Sequence, residues 1–150
     1  MPAANAPTST LSGHVVIAGF GIVGRMVTEV MKQQKIPYCI VESNRATVDR
    51  CEKIDIPIMY GDIREEAVLR AAGIEQAAML AVALPNEKDA LQAVEIARRL
   101  NPKLPIIARC AFTSGGLQAL QLGATVAVVA EQVVAQEFAR VVREHLAKPE

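Results

Sequence analysis

The stretch "HVVIAGFGIVGRM", His14 to Met26, runs an apolar segment directly into three glycines spaced G-x-G-x-x-G. After a strand, this spacing has a physical use for each glycine. Gly19 allows a tight turn, Gly21 lets the backbone approach a phosphate with no Cβ in the way, and Gly24 lets the following helix pack close to the strand. A helix opening at that point presents unpaired N–H groups and partial positive charge to an anion. Glu42 lies eighteen positions after Gly24, at the end of the next apolar run. A carboxylate there accepts hydrogen bonds from ribose hydroxyls and repels a 2′-phosphate, which favours an adenosine nucleotide or NAD over NADP. The competing reading is a strand-to-helix turn that holds no ligand.

Outward from this stretch, apolar runs alternate with amphipathic segments. Strands are expected at His14–Gly19, Pro37–Glu42, Pro57–Asp62, Ala78–Pro85, Pro105–Cys110 and Thr125–Ala130. Between them, Val23–Lys35 carries Val23, Met26, Val27, Val30 and Met31 at helical spacing. Asn44 and Asn86 are placed to cap the next helices, with another at Arg64–Gly73 closed by its glycine. The helix after Asn86 has acids in its first turn and Arg98 and Arg99 in its last, an order that complements the helix dipole. Ser114–Gly123 reads as a short helix and Glu131–Leu146 as the closing one.

Parallel strands need crossover helices, and continuously apolar strands such as "AMLAVAL" fit burial on both faces. The expected fold is therefore α/β, a Rossmann-type doubly wound parallel sheet of six strands. Its expected order is 3-2-1-4-5-6, with helices on both faces. Residues 13–147 form the expected domain, and the Ala/Pro/Ser/Thr-rich residues 1–12 read as a tail or linker, with no secretion-signal pattern.

Sixteen Lys and Arg balance sixteen Asp and Glu in 150 residues, and aromatics make up 3%. Nucleic-acid binders carry a basic face with stacking aromatics, so that partner is disfavoured. No apolar run reaches the roughly 18–20 residues that cross a bilayer. Cys39, Cys51 and Cys110 are widely spaced, which fits reduced, packed thiols in a cytoplasmic compartment.

Other candidates cluster around the glycine motif. Phe20, Ile22 and Val23 lie between the glycines, and Ser43 and Ile63 follow the two strand-end acids. Arg25 either pairs with a phosphate, reaches a partner subunit, or is an exposed helix arginine. Asp62 lies beside the adenine or caps the next helix. Asn86 and Arg109 end strands at the carboxyl edge, where ligands bind in such sheets, or serve only local capping and pairing.

Catalytic patterns are missing. The two histidines, His14 before the first strand and His145 in the last helix turns, are not placed near the expected nucleotide. Tyr38 and Tyr60 are followed four residues on by Glu42 and Arg64, so no Tyr-x-x-x-Lys pair exists. There is no G-x-S-x-G and no Cys/His metal pattern. Binding without chemistry is the reading. A small NAD-dependent oxidoreductase and a dimerisation module with an unused pocket are the alternatives.

Together, "HVVIAGFGIVGR", "PYCIVESNRATVDRC", "YGDIREEAVLRAAGIEQA", "ALPNEKDALQAVEIARRLNP" and "PIIARC" resemble the TrkA-N domain. This is the KTN or Rossmann part of RCK domains, which are cytoplasmic regulatory modules of potassium channels and transporters. The run from "LPN" through "IIARC" is most similar to the domain of Kef-type monovalent cation:proton antiporters, including the YbaL-like branch. The resemblance implies binding of AMP, ADP, ATP or NAD(H) at the glycine loop, and gating of a membrane-embedded cation transporter at the inner membrane. On the matching positions, Gly19, Gly21, Gly24 and Arg25 would meet the phosphates, Glu42 the ribose and Asp62 the base. Glu131 matches an acid that in some relatives helps hold a cation between subunits.

Val134, Phe138, Val141, Val142 and Leu146 form an apolar stripe on the closing helix, able to cover its own sheet or meet a second copy. By default it packs on the home sheet. The family pairs through this helix, so a homodimer is expected. The sequence shows no transmembrane part and no further lobe after Leu146, so an excised domain or a stand-alone subunit is expected.

Overall fold

The computed structural model describes residues 11–146. The tail reading falls mostly on residues 1–10, which lie outside the described residues, as does position 147. Six parallel strands form one sheet in the order β3-β2-β1-β4-β5-β6, as expected. They are β1 (Val15–Ala18), β2 (Tyr38–Glu42), β3 (Ile58–Tyr60), β4 (Met79–Val82), β5 (Ile106–Cys110) and β6 (Val126–Val129). The helices are α1 (Ile22–Gln34), α2 (Arg45–Glu52), α3 (Glu66–Ala71), α4 (Glu87–Leu100), α5 (Thr113–Leu122) and α6 (Ala130–His145), with a 3₁₀ turn at Ile74–Gln76.

The register sets up the site. Val15 pairs with Tyr38 on one side and Met79 on the other, so Ala18 ends level with Val41 and Val82. Strand order reverses between β1 and β4, and this switch point opens a crevice at the carboxyl edge. All four β1 residues are buried because both of its faces are covered. On one face Val16 and Ala18 join Leu69 of α3, Val94 of α4 and Ala119 of α5. On the other, Val15 and Ile17 pack with Met31 of α1 and Val48 and Cys51 of α2. Burying each such Val, Ile or Leu contributes about 1.5–3 kcal/mol.

Several boundaries differ from those expected, for local reasons. β1 stops at Ala18 because Gly19 turns the chain at φ +98. The helix expected from Arg64 begins at Glu66, because Arg64 sits in a turn bonded to Asp62. Gly73, at φ +77, takes the left-handed position after α3. Arg98 and Arg99 reach beyond their own helix: Arg98 donates to the Gly123 carbonyl at 2.7 Å, and Arg99 pairs with Glu66 at 2.8 Å. The three cysteines are buried, and burial pushes the Cys51 and Cys110 thiols up.

The largest departure concerns α6. None of its residues is buried, so its stripe does not pack down on the home sheet. Its place over β4, β5 and β6 is an open apolar hollow of about 360 Å³, walled by α1 residues Val23 and Val27, sheet residues such as Ala81, Ile107 and Val128, and Val133 and Val134 of α6. The edge strand β6 consequently exposes Val126 and Val128. Among the described residues, no helix is long and apolar enough to cross a membrane.

Candidate nucleotide-binding site

The three glycines answer to different demands. At Gly19 the positive φ disfavours any side chain, and a Cβ would meet the Ala83 carbonyl oxygen at 2.9 Å. At Gly24 a Cβ would collide with the Gly19 carbonyl, so this glycine seats α1 against the end of β1. Gly21 differs: its φ is −86, and a Cβ would meet nothing within 4 Å. The fold itself leaves room for a side chain there.

Gly21 is also the N-cap of α1, and no side chain caps this helix, which has no acid in its first turn. By contrast, α2 and α4 are capped by Asn44 and Asn86, which accept from the amides of Thr47 and Asp89. The start of α1 thus keeps its N–H groups and partial positive charge open to an anion. Ile22 is 85% exposed at that mouth, and Arg25 lies 5.2 Å over the Phe20 ring one turn further in.

Glu42 closes β2 and is held from two sides. Its Oε1 accepts from the Phe20 amide at 2.9 Å and its Oε2 from the Asn44 amide at 2.8 Å. The acid therefore ties the glycine loop to the start of α2. Beyond it, a small crevice of about 70 Å³ is lined by Gly19, Glu42, Ser43, Asp62, Ile63 and Leu84, among others. The buried Ile63 and the partly buried Leu84 offer apolar walls suited to a flat base.

Asp62 is engaged by Arg64, which donates to it through Nε at 3.0 Å and Nη2 at 2.7 Å. These hydrogen bonds hold the Asp62 carboxyl below its ordinary value. Arg64 also donates from Nη1 to Asp89 Oδ1 at 3.1 Å. Arg64 and Asp89 both line the crevice, and sequence reasoning passed over both. The signal available was an arginine two positions after a strand-end acid, with an acid in the first turn of the facing helix.

Four candidates lie elsewhere. Asn86 caps α4, and Val23 and Arg109 line the apolar hollow under α6. Glu131 accepts from the Thr113 amide at 3.1 Å, at the start of α5. Among the described residues no group of three His, Cys, Asp or Glu could hold a metal ion.

The TrkA-N domain model matches residues 15–130. The chain is 34% identical over 115 residues to a putative K(+) efflux antiporter KefB of Alkalimonas amylolytica, a match that covers 77% of this chain and 17% of that protein. The TrkA-N domain of the Escherichia coli inner membrane protein ybaL superposes with a TM-score of 0.84 at 26% identity, covering 88% of this chain and 98% of that one. The Kef C-terminal domain of Shewanella denitrificans in its AMP-bound form superposes with a TM-score of 0.73 at 27% identity, covering 89% and 82%. The matched antiporter is thus several times longer than the segment it shares. With its glycine cradle, switch-point crevice and strand order all in place, this chain belongs to the TrkA-N domain family.

Proposed function

We propose that this chain is a nucleotide-sensing regulatory domain of a Kef-type cation:proton antiport system, holding AMP, another adenine nucleotide or NAD(H) without turning it over. The observation that carries this reading is Gly21. Gly19 and Gly24 are required by the chain's own packing, whereas a side chain at Gly21 would point into open space before the uncapped start of α1. A bare α-carbon there leaves room for a body outside the chain to approach the backbone, and an anion suits the free amides. The AMP-bound relative supports adenine nucleotide as the ligand class.

In this reading the phosphate lies on the α1 amides, the ribose hydroxyls share Glu42, and the base enters between Ile63 and Leu84. Glu42 already binds two amides, so a ribose reorders the loop it anchors. The signal leaves through α1, because Val23 and Val27 also wall the hollow beneath α6. A ligand shifts this arrangement only by binding one state better than another.

The domain works as a homodimer on the cytoplasmic face of the inner membrane, joined to a membrane-embedded cation transporter in the same chain or as a separate subunit. The exposed stripe of α6, with Phe138 70% exposed, supports pairing with a second copy, the commonest closed symmetry.

The test is thermal melting with AMP, ADP, ATP and NAD(H), in the wild type and in Gly21→Val. At about 100 times Kd a ligand adds about 2.7 kcal/mol of stability. The wild type is expected to shift and Gly21→Val to fold but not shift; equal shifts would move the site elsewhere. Turnover seen as a change in reduced-nicotinamide absorbance would replace regulation by oxidoreduction.

A further inference from the structure

The crevice between the glycine loop and the tip of β3 is too narrow for a base in this structure. Its volume of about 70 Å³ falls well below the roughly 300 Å³ at which small-molecule pockets begin. Across it runs one side chain: Arg64, anchored on Asp62 at the tip of β3, reaches Asp89 in the first turn of α4. All three residues line the same crevice as Ile63 and Leu84, so a base placed between those two competes with this bridge for the space. The groups are 31–42% exposed, which makes the pairs breakable rather than rigid.

We propose that the Asp62–Arg64–Asp89 bridge is a latch on the base end of the nucleotide site, and that Arg64 and Asp89 thereby set its affinity for adenine-bearing ligands. This rests on the nucleotide reading above. Opening releases Arg64 from Asp89 while Asp62 retains it, so the guanidinium swings about its anchor and frees the slot. The first turn of α4 then loses a tether to β3, which carries base occupancy to a second helix besides α1. Apparent affinity is the open-state affinity multiplied by the open fraction, so weakening the latch tightens binding. Phosphate and ribose contacts lie outside the bridge and do not feel it.

The experiment is calorimetric titration of the full chain with AMP and, separately, with ribose 5-phosphate, in wild type, Asp89→Asn, Arg64→Gln and the double variant. Asp89→Asn keeps the side-chain volume, and the cap on α4 is undisturbed because it uses the Asp89 backbone amide. AMP is expected to bind about 1.5- to 5-fold tighter to each single variant, the scale of one exposed charged pair. The double variant should gain no more than either single change, ribose 5-phosphate should be unaffected, and Arg64→Lys should return AMP affinity toward wild type. Weaker AMP binding in the single variants, or equal binding, overturns the latch. So does an equal gain for ribose 5-phosphate. AMP binding by the variants but not by the wild type supports it. Absence of binding in every protein overturns the nucleotide reading and the latch with it, whereas unchanged AMP affinity across proteins that do bind overturns the latch alone.

Discussion

Glu42 and Phe20, twenty-two residues apart in the chain, are joined by a 2.9 Å hydrogen bond from the Phe20 amide to the Glu42 carboxylate. The acid at the tip of β2 therefore shapes the glycine loop before any sugar arrives. Glu42→Ala is expected to cost about 1–3 kcal/mol, by leaving that amide without its partner. Glu42→Gln keeps one accepting oxygen and should cost less. Denaturant melts of the three proteins check the order, and equal stability of Glu42→Ala and wild type would refute it.

Gly24 and Gly21 should respond oppositely to alanine. A Cβ at Gly24 runs into the Gly19 backbone, which cannot yield without parting α1 from β1. Gly24→Ala is expected to destabilise by about 3 kcal/mol or more, in the range of severe overpacking. Gly21→Ala meets open space at an ordinary φ and should stay within about 1 kcal/mol of wild type. Comparable losses at the two positions would contradict the assignment.

Most of the frame could be read in advance, and the reasons are local. Gly24 acts on Gly19, five positions away, Gly19 turns the chain through its own positive φ, and continuously apolar strands announce burial on both faces. The side chain–backbone caps of Asn44 and Asn86 span three residues and were likewise visible. What escaped was long-range. Arg64 meets Asp89 across 25 positions, and only the folded sheet brings β3's tip beside α4. The stripe on α6 left both its own sheet and a second copy open, with its own sheet the default because amphipathic helices usually cover one. Here α6 buries nothing, since β6 runs straight into it with no loop in which to turn back.

Asp62 should reveal its partner through pH. Its carboxyl is held below the ordinary value, first by hydrogen bonds from Arg64, while burial opposes the shift. A depressed folded value means the group contributes stability above its unfolded value of about 3.9. That contribution disappears as pH falls through the folded value. Carboxyl NMR titration should find Asp62 below the usual aspartate range in the wild type and returned toward it in Arg64→Gln. An unshifted Asp62 in the wild type would contradict the pairing.

Phe138→Asp places a charge in the middle of the α6 stripe. Sedimentation should report a dimer for the wild type and a monomer for the variant. Because α6 buries no residue in its own chain, the isolated fold should change by no more than about 0.5 kcal/mol. A variant that remains dimeric would place the pairing surface elsewhere.

The most direct measurement is a crystal structure of the chain with AMP. The phosphate is expected about 2.7–3.1 Å from backbone amides at the start of α1, with ribose hydroxyls on Glu42 and adenine between Ile63 and Leu84. AMP bound away from the Gly21 cradle, or a cradle empty at saturating AMP, would contradict the account.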